Sequence, residues 1–143
     1  MAKEVCIFCG ETPGLFKDAS IDVAGMPQIC CVDCRKEVEG LGEGELCRRA
    51  LLRGHAKYAD RIQARLDLIT RSEKARPKCR FCGGDIKFSV LVPFEAPHRP
   101  GVLNFTFDAV PGHCTKCYRF DFFSPEMLRD DECIAYLYEK DTQ

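Results

Sequence analysis

Four cysteine pairs stand at Cys-X-X-Cys spacing: Cys6/Cys9, Cys31/Cys34, Cys79/Cys82 and Cys114/Cys117. Two intervening residues let a tight turn aim both sulfurs at one point. Two such turns make a tetrahedral thiolate cage, a donor set suited to zinc at about 2.3 Å per bond. Twenty-one residues separate Cys9 from Cys31, and 31 separate Cys82 from Cys114. Each span is long enough for a hairpin or a strand–helix excursion within one small domain. The pattern predicts two structural Zn2+ ions, one on Cys6, Cys9, Cys31 and Cys34, the other on Cys79, Cys82, Cys114 and Cys117. Iron–sulfur or redox use of the same thiols is the competing chemistry. Cys30 adjoins Cys31, so Cys30/Cys34 is an alternative second pair; the two-residue spacing favours Cys31. Cys30, Cys47 and Cys133 remain over and read as small core hydrophobes. His113, beside Cys114, could replace a thiolate, but a complete cysteine set makes that unnecessary.

The first pair of each set repeats in detail. Cys6-Ile7-Phe8-Cys9-Gly10 is echoed by Cys79-Arg80-Phe81-Cys82-Gly83. The glycine supplies positive φ after the second cysteine at no steric cost. Phe8 and Phe81 are predicted to pack beneath their turns.

The elements that must position these thiols follow from the intervening residues. After Leu15-Phe16, the run Ile21 to Cys30 reads as a strand, a Gly25-containing turn and a second strand entering Cys31. A short helix starts near Asp33. Residues 45–75 carry Leu51, His55, Tyr58, Ile62, Leu66 and Ile69 at intervals of three and four, one apolar stripe on a single helix. Gly54 weakens that helix by about 1 kcal/mol, and Pro77 ends it. His55 on the stripe reads as a packed histidine. Lys87–Val92 reads as a strand, Phe94–Gly101 as a loop, and Leu103–Val110 and Tyr118–Phe123 as further strands. Ser124-Pro125 signals a helix start, with the helix running on to about Glu139. The fold class is a small α+β chain: two four-cysteine units, zinc-ribbon or treble-clef-like, joined by an amphipathic α-helix. The boundaries are residues 1–44, a helical linker at 45–76, and a β-rich ribbon with a C-terminal helix at 77–143.

Two resemblances attach to these motifs. Cys6-Ile7-Phe8-Cys9-Gly10 and Cys31-Val32-Asp33-Cys34, with the intervening hairpin and following helix, resemble the N-terminal zinc-binding domain of the ClpX unfoldase. That likeness covers residues 4–40 and implies a small dimerising unit that binds adaptors or substrates, with structural zinc. The chain carries no GxxxxGK[ST] motif, so only the binding role carries over. Cys79, Cys82, Gly83, Val110-Pro111, Cys114 and Cys117 are similar to the zinc ribbon of MqsA/YgiT-type antitoxins, over roughly residues 77–125. No helix-turn-helix follows them. The resemblances imply a bacterial, cytoplasmic protein.

Composition sets the outer limits. The chain is 45% hydrophobic and 30% charged, which is globular. No apolar run reaches the roughly 18–20 residues of a membrane span, and the first residues have no signal-peptide pattern. The net charge of −1 hides segregation: residues 48–80 hold eleven Lys/Arg against three Asp/Glu. Arg49, Arg53, Lys57, Arg61 and Arg65 stand at successive i,i+4 positions, where like charges repel. Phosphates, an acidic partner or the chain's own carboxylates would offset that repulsion. A four-thiolate shell leaves no position for water or substrate, so the sequence predicts no enzyme and no small-molecule substrate. The reading is a zinc-binding adaptor or regulator with a protein partner, and a homodimer through the helical stripe. The alternative is a nucleic-acid-binding regulator using the basic row.

Overall fold

The computed structural model describes residues 4–14, 18–95 and 106–143. Leu15-Phe16, the loop residues 96–101 and the predicted strand start at 103–105 lie outside them. The chain divides into two compact units, Met1–Thr70 and Arg71–Gln143.

In the first unit, β1 (Asp18–Val23) and β2 (Met26–Cys31) form an antiparallel hairpin with Val23 opposite Met26. Ala24 and Gly25 both take positive φ, 58° and 74°. Those dihedrals are what a two-residue hairpin turn needs to match strand twist, and the Asp22 carboxylate accepts the Gly25 N–H at 2.8 Å. Alternate β2 residues Met26, Gln28 and Cys30 are buried. Helix α1 (Val32–Val38) starts directly from β2, capped by the Cys31 sulfur.

The segment 45–75 is not one helix. It forms α2 (Glu43–Leu51) and α3 (Ala59–Ala75), broken where Gly54 and Tyr58 take φ of 70° and 62°. The core supplies the reason. In a continuous helix Ala50 and Ile62 would lie about 18 Å apart along the axis. With the break, Cys47 and Ala50 of α2 and Ile62 of α3 all enter one core with Ile7, Phe8, Val23, Met26 and Val38. Arg65 of α3 then donates twice to Glu43 of α2, at 2.7 and 3.3 Å. Of the predicted stripe, Ile62 and Ile69 are buried and Leu51 and Leu66 half-buried, while His55 and Tyr58 lie exposed.

The second unit is built around β5 (Thr106–Cys114). On one side it pairs with β3 (Ile86–Phe88) and β4 (Val92–Glu95), on the other with β6 (Phe120–Phe123), all antiparallel. The predicted strand 87–92 carries a bulge. Phe88 stands opposite Gly112 but Val92 opposite Ala109, so the first strand has one residue more than β5. A bulge exchanges the faces to which alternate side chains point. Ile86 and Phe88 consequently face the core, and Val92 and Phe94 the other side of the sheet. The freed Leu91 N–H donates to the Tyr138 hydroxyl at 3.0 Å.

The helix predicted from Ser124 is also two pieces, α4 (Met127–Asp130) and α5 (Glu132–Thr142). Asp131 is extended between them and accepts the Cys133 and Ile134 N–H groups at 2.8 and 3.2 Å. It is a better cap than Ser124, whose hydroxyl accepts only from Glu126 N–H at 3.4 Å. Helix α5 covers the core face of the sheet, with Phe88 edge-on to Phe123 at 5.4 Å. At its end Asp141 accepts from Arg76 at 2.7 and 3.2 Å and from the Phe88 N–H at 3.0 Å. Arg76 also donates to the Ile86 carbonyl at 3.0 Å. The pair is nearly dry, with side chains 7% and 3% exposed.

Removing one partner of a buried ion pair costs about 3–5 kcal/mol, against about 1 kcal/mol for an N-cap. Asp141→Ala should therefore lower the urea midpoint of the zinc-loaded protein several times more than Asp131→Ala. Equal shifts for the two variants would show that the Arg76–Asp141 pair does not hold α5 in place.

Candidate metal centres

The first centre is assembled by three short devices. The Cys6–Cys9 turn closes with the Gly10 N–H donating to the Cys6 carbonyl at 2.9 Å, and the Ile7 N–H ties it to the Ile29 carbonyl of β2 at 2.9 Å. Strand β2 delivers Cys31 at its last position. The first turn of α1 delivers Cys34, whose N–H donates to the Cys31 sulfur at 3.4 Å. In the second centre, the Cys79–Cys82 turn closes through the Gly83 N–H on the Cys79 carbonyl at 2.8 Å. Strand β5 ends at Cys114, and the following turn brings Cys117 back, its N–H on the Cys114 sulfur at 3.4 Å.

In each centre the four sulfurs lie within 4.8 Å of one another. Cys9 and Cys31 are 3.9 Å apart, Cys79 and Cys117 3.7 Å, and Cys82 and Cys114 3.4 Å. A tetrahedral cage with bonds of about 2.3 Å has its sulfurs about 3.8 Å apart. Both groups thus fit a tetrahedral metal such as zinc, and all eight ligands named from the sequence are in them. Cys31, not Cys30, belongs to the first. Cys30 is buried beside it, its S–H on the Cys31 carbonyl at 3.3 Å; burial, then the charge on Cys6, pushes its thiol up to about 12. Cys47 and Cys133 are buried core residues.

Backbone N–H groups and sulfur–sulfur repulsion divide the thiols into two kinds. Burial opposes ionisation of Cys6, but N–H groups of Cys31, Cys9 and Phe8 outweigh it and lower the thiol to about 6. N–H donation from Cys117, against burial, lowers Cys114 likewise to about 6. Cys82 receives help from the Gly84 N–H, yet its neighbours Cys114, Cys117 and Cys79 raise it to about 11. Burial and the same crowding of sulfurs raise Cys34. Each centre therefore holds an easily ionised thiol beside one whose ionisation its surroundings oppose.

Beside the cysteine turns, Gly10 and Gly84 sit where an added Cβ would be crowded. A Cβ on Gly10 would stand 2.4 Å from the His55 ring, and its φ is 77°. A Cβ on Gly84 would stand 2.9 Å from the Cys114 sulfur, 3.3 Å from the Cys82 sulfur and 2.8 Å from Lys116 Cβ. Gly83 explains itself from the repeat; Gly84 is a site residue that the spacing of the cysteines does not announce. The equivalent of Gly10 and Gly83 in the last turn is Tyr118, held at a φ of 60°.

The other residues singled out by sequence take varied places. Phe8 is buried under its turn as predicted, but Phe81 is exposed, with the Arg119 guanidinium 4.0 Å from its ring centre. Ile86 and Phe123 pack against the second centre's cysteines instead. His113 points away from Cys114 along β5 and lies against Phe120. The basic row does not form one helix face. Arg49 pairs with Glu45 at 3.4 Å, Lys57 with Glu4 at 3.1 Å and Arg65 with Glu43, whereas Arg53 and Arg61 are exposed. Among the described residues no helix is long and apolar enough to cross a membrane.

What fold and site define together is a small α+β chain carrying two four-cysteine groups compatible with zinc. No family model, curated protein or solved structure matches it.

Elemental analysis should find two zinc ions per chain in the wild type. Gly84→Ala should reduce this to one, while Gly42→Ala, where an added Cβ meets nothing, keeps two. Two ions in the Gly84 variant would contradict the close-packed geometry. Because metal binding must displace protons from thiols such as Cys34 and Cys82, zinc uptake near neutral pH should release protons. Affinity should fall as pH is lowered, and more steeply below about 6, where Cys6 and Cys114 also take protons. Calorimetry in buffers of different ionisation enthalpy measures both effects; a pH-independent affinity would contradict them.

Proposed function

We propose that the protein is a non-catalytic adaptor or regulator whose two structural zinc ions hold protein-binding surfaces in shape. A shell of four thiolates leaves a zinc ion no position for substrate or activated water, which supports a structural use of both centres.

The observation that carries the reading is a shallow groove against the first centre. Phe8, Val38 and the exposed Leu52 supply apolar wall, and Glu37, Glu45, Arg49 and Arg53 supply a polar rim of both signs. An apolar floor inside a mixed polar rim is the anatomy of a protein contact, whereas a phosphate backbone calls for cations alone. The likeness of residues 4–40 to the adaptor-binding domain of ClpX points the same way. The nucleic-acid alternative is weakened because Arg49, Lys57 and Arg65 already have carboxylate partners.

Proximity labelling in the native host tests this. The wild type should label a reproducible set of proteins. Leu52→Asp should lose that set while keeping two zinc ions, and nuclease should leave it intact. A set indifferent to Leu52→Asp, or one abolished by nuclease, would contradict the adaptor reading.

A further inference from the structure

The β-sheet of the second unit has one face on its core and one that is aromatic and open. The bulge turns Phe94 onto this open face, where it stacks on Phe107 at 5.3 Å and 14° and meets Phe122 edge-on at 5.3 Å. Register places Ala109, Pro111 and His113 of β5 and Phe120 of β6 on the same face. Phe107, Phe120 and Phe122 are 58%, 67% and 61% exposed. A phenylalanine buries about 150–250 Å2, so these three rings alone leave on the order of 400 Å2 of apolar surface open. That is the size at which a patch on a soluble protein marks an interaction site.

Charge says what covers it. Lys87, opposite His113 in register, gives one end of the face a cationic group. At the other end Glu126 lines the notch beside Phe107 and Phe122. His113 and Phe107 are six residues apart on β5, about 20 Å of strand. The face is thus a neutral aromatic strip with a positive and a negative end. A nucleic acid would meet the Glu126 carboxylate at one end. A second copy, turned about a two-fold axis lying across the strands, sets each positive end on the other's negative end and ring against ring.

We infer that this face is the contact of a homodimer formed between second units. The three open rings supply about half of the roughly 800 Å2 per partner that a standard interface buries, and the half-buried Phe94, Pro111 and His113 with the charged ends surround them. This contact is independent of the helical stripe, whose Leu51, Ile62 and Leu66 pack in the first unit's core, and of the adaptor reading.

Sedimentation of the zinc-loaded full chain at micromolar concentration tests it. The wild type should run at twice its 16.2 kDa. Phe120→Ser with Phe122→Ser should weaken association on the order of a hundredfold or more, as loss of central aromatic anchors does, with two zinc ions retained. Lys87→Glu and Glu126→Lys should each weaken it, and the two together should restore it, a result that misfolding cannot mimic. A wild-type monomer, a dimer unaffected by the ring substitutions, or charge reversals that add rather than cancel would overturn the interface. A monomer that binds oligothymidine through Phe120 and Phe122 would assign the face to single-stranded nucleic acid instead. None of these outcomes touches the groove at Leu52.

Discussion

Four sulfurs held around one point are under electrostatic tension until a cation sits among them. Each unit of this chain is built to impose that arrangement. N–H groups aimed at Cys6 and Cys114 favour thiolate, while burial and crowding sulfurs oppose it at Cys34 and crowding sulfurs oppose it at Cys82. A bound metal turns that mutual repulsion into attraction, so its binding energy becomes folding energy. The scale matters in units this small. In the first, several buried positions are cysteines, Cys6, Cys30 and Cys47, rather than large hydrophobes. A core of that kind is marginal by itself, and apparent zinc-binding energies of about 10–16 kcal/mol exceed any such deficit.

The tetrads and the β1–β2 hairpin were legible in the sequence because both are local. Two residues between cysteines define a turn whatever surrounds it, and a Gly-containing turn between apolar runs is a short-range signal. The break between α2 and α3 was not legible. Gly54 costs a helix only about 1 kcal/mol, and an unbroken 3.6-residue stripe fits a single helix equally well. What decides is the need to bring Ala50 and Ile62 to one core, which only the tertiary structure expresses. The bulge between β3 and β4 escaped for a related reason: an apolar run such as Ser89-Val90-Leu91-Val92 shows no alternation that a one-residue slip would disturb. Ser124-Pro125 looked like the helix start because its spacing is orthodox, yet Asp131, which accepts from the Cys133 and Ile134 N–H groups, caps the longer helix.

The surfaces follow from what the cores leave over. Intramolecular carboxylates occupy Arg49, Lys57 and Arg65, so the positive segment 48–80 is partly neutralised by its own unit. Phe81, excluded from the ribbon's core, carries Arg119 on its ring, and the bulge adds Phe94 to the rings of β5 and β6. Leu52 beside the first centre and Phe107, Phe120 and Phe122 on the outer sheet face of the second unit are among the large apolar side chains left exposed.

Two-dimensional amide spectra of the full-length Cys9→Ser protein in the presence of zinc address the central claim most directly, since they report on each unit separately. If the first centre organises its own unit, resonances of residues 4–70 should lose their dispersion while those of 71–143 stay where they are in the wild type. A first unit that remains dispersed with its metal gone would contradict the claim that the thiolate cage holds it together.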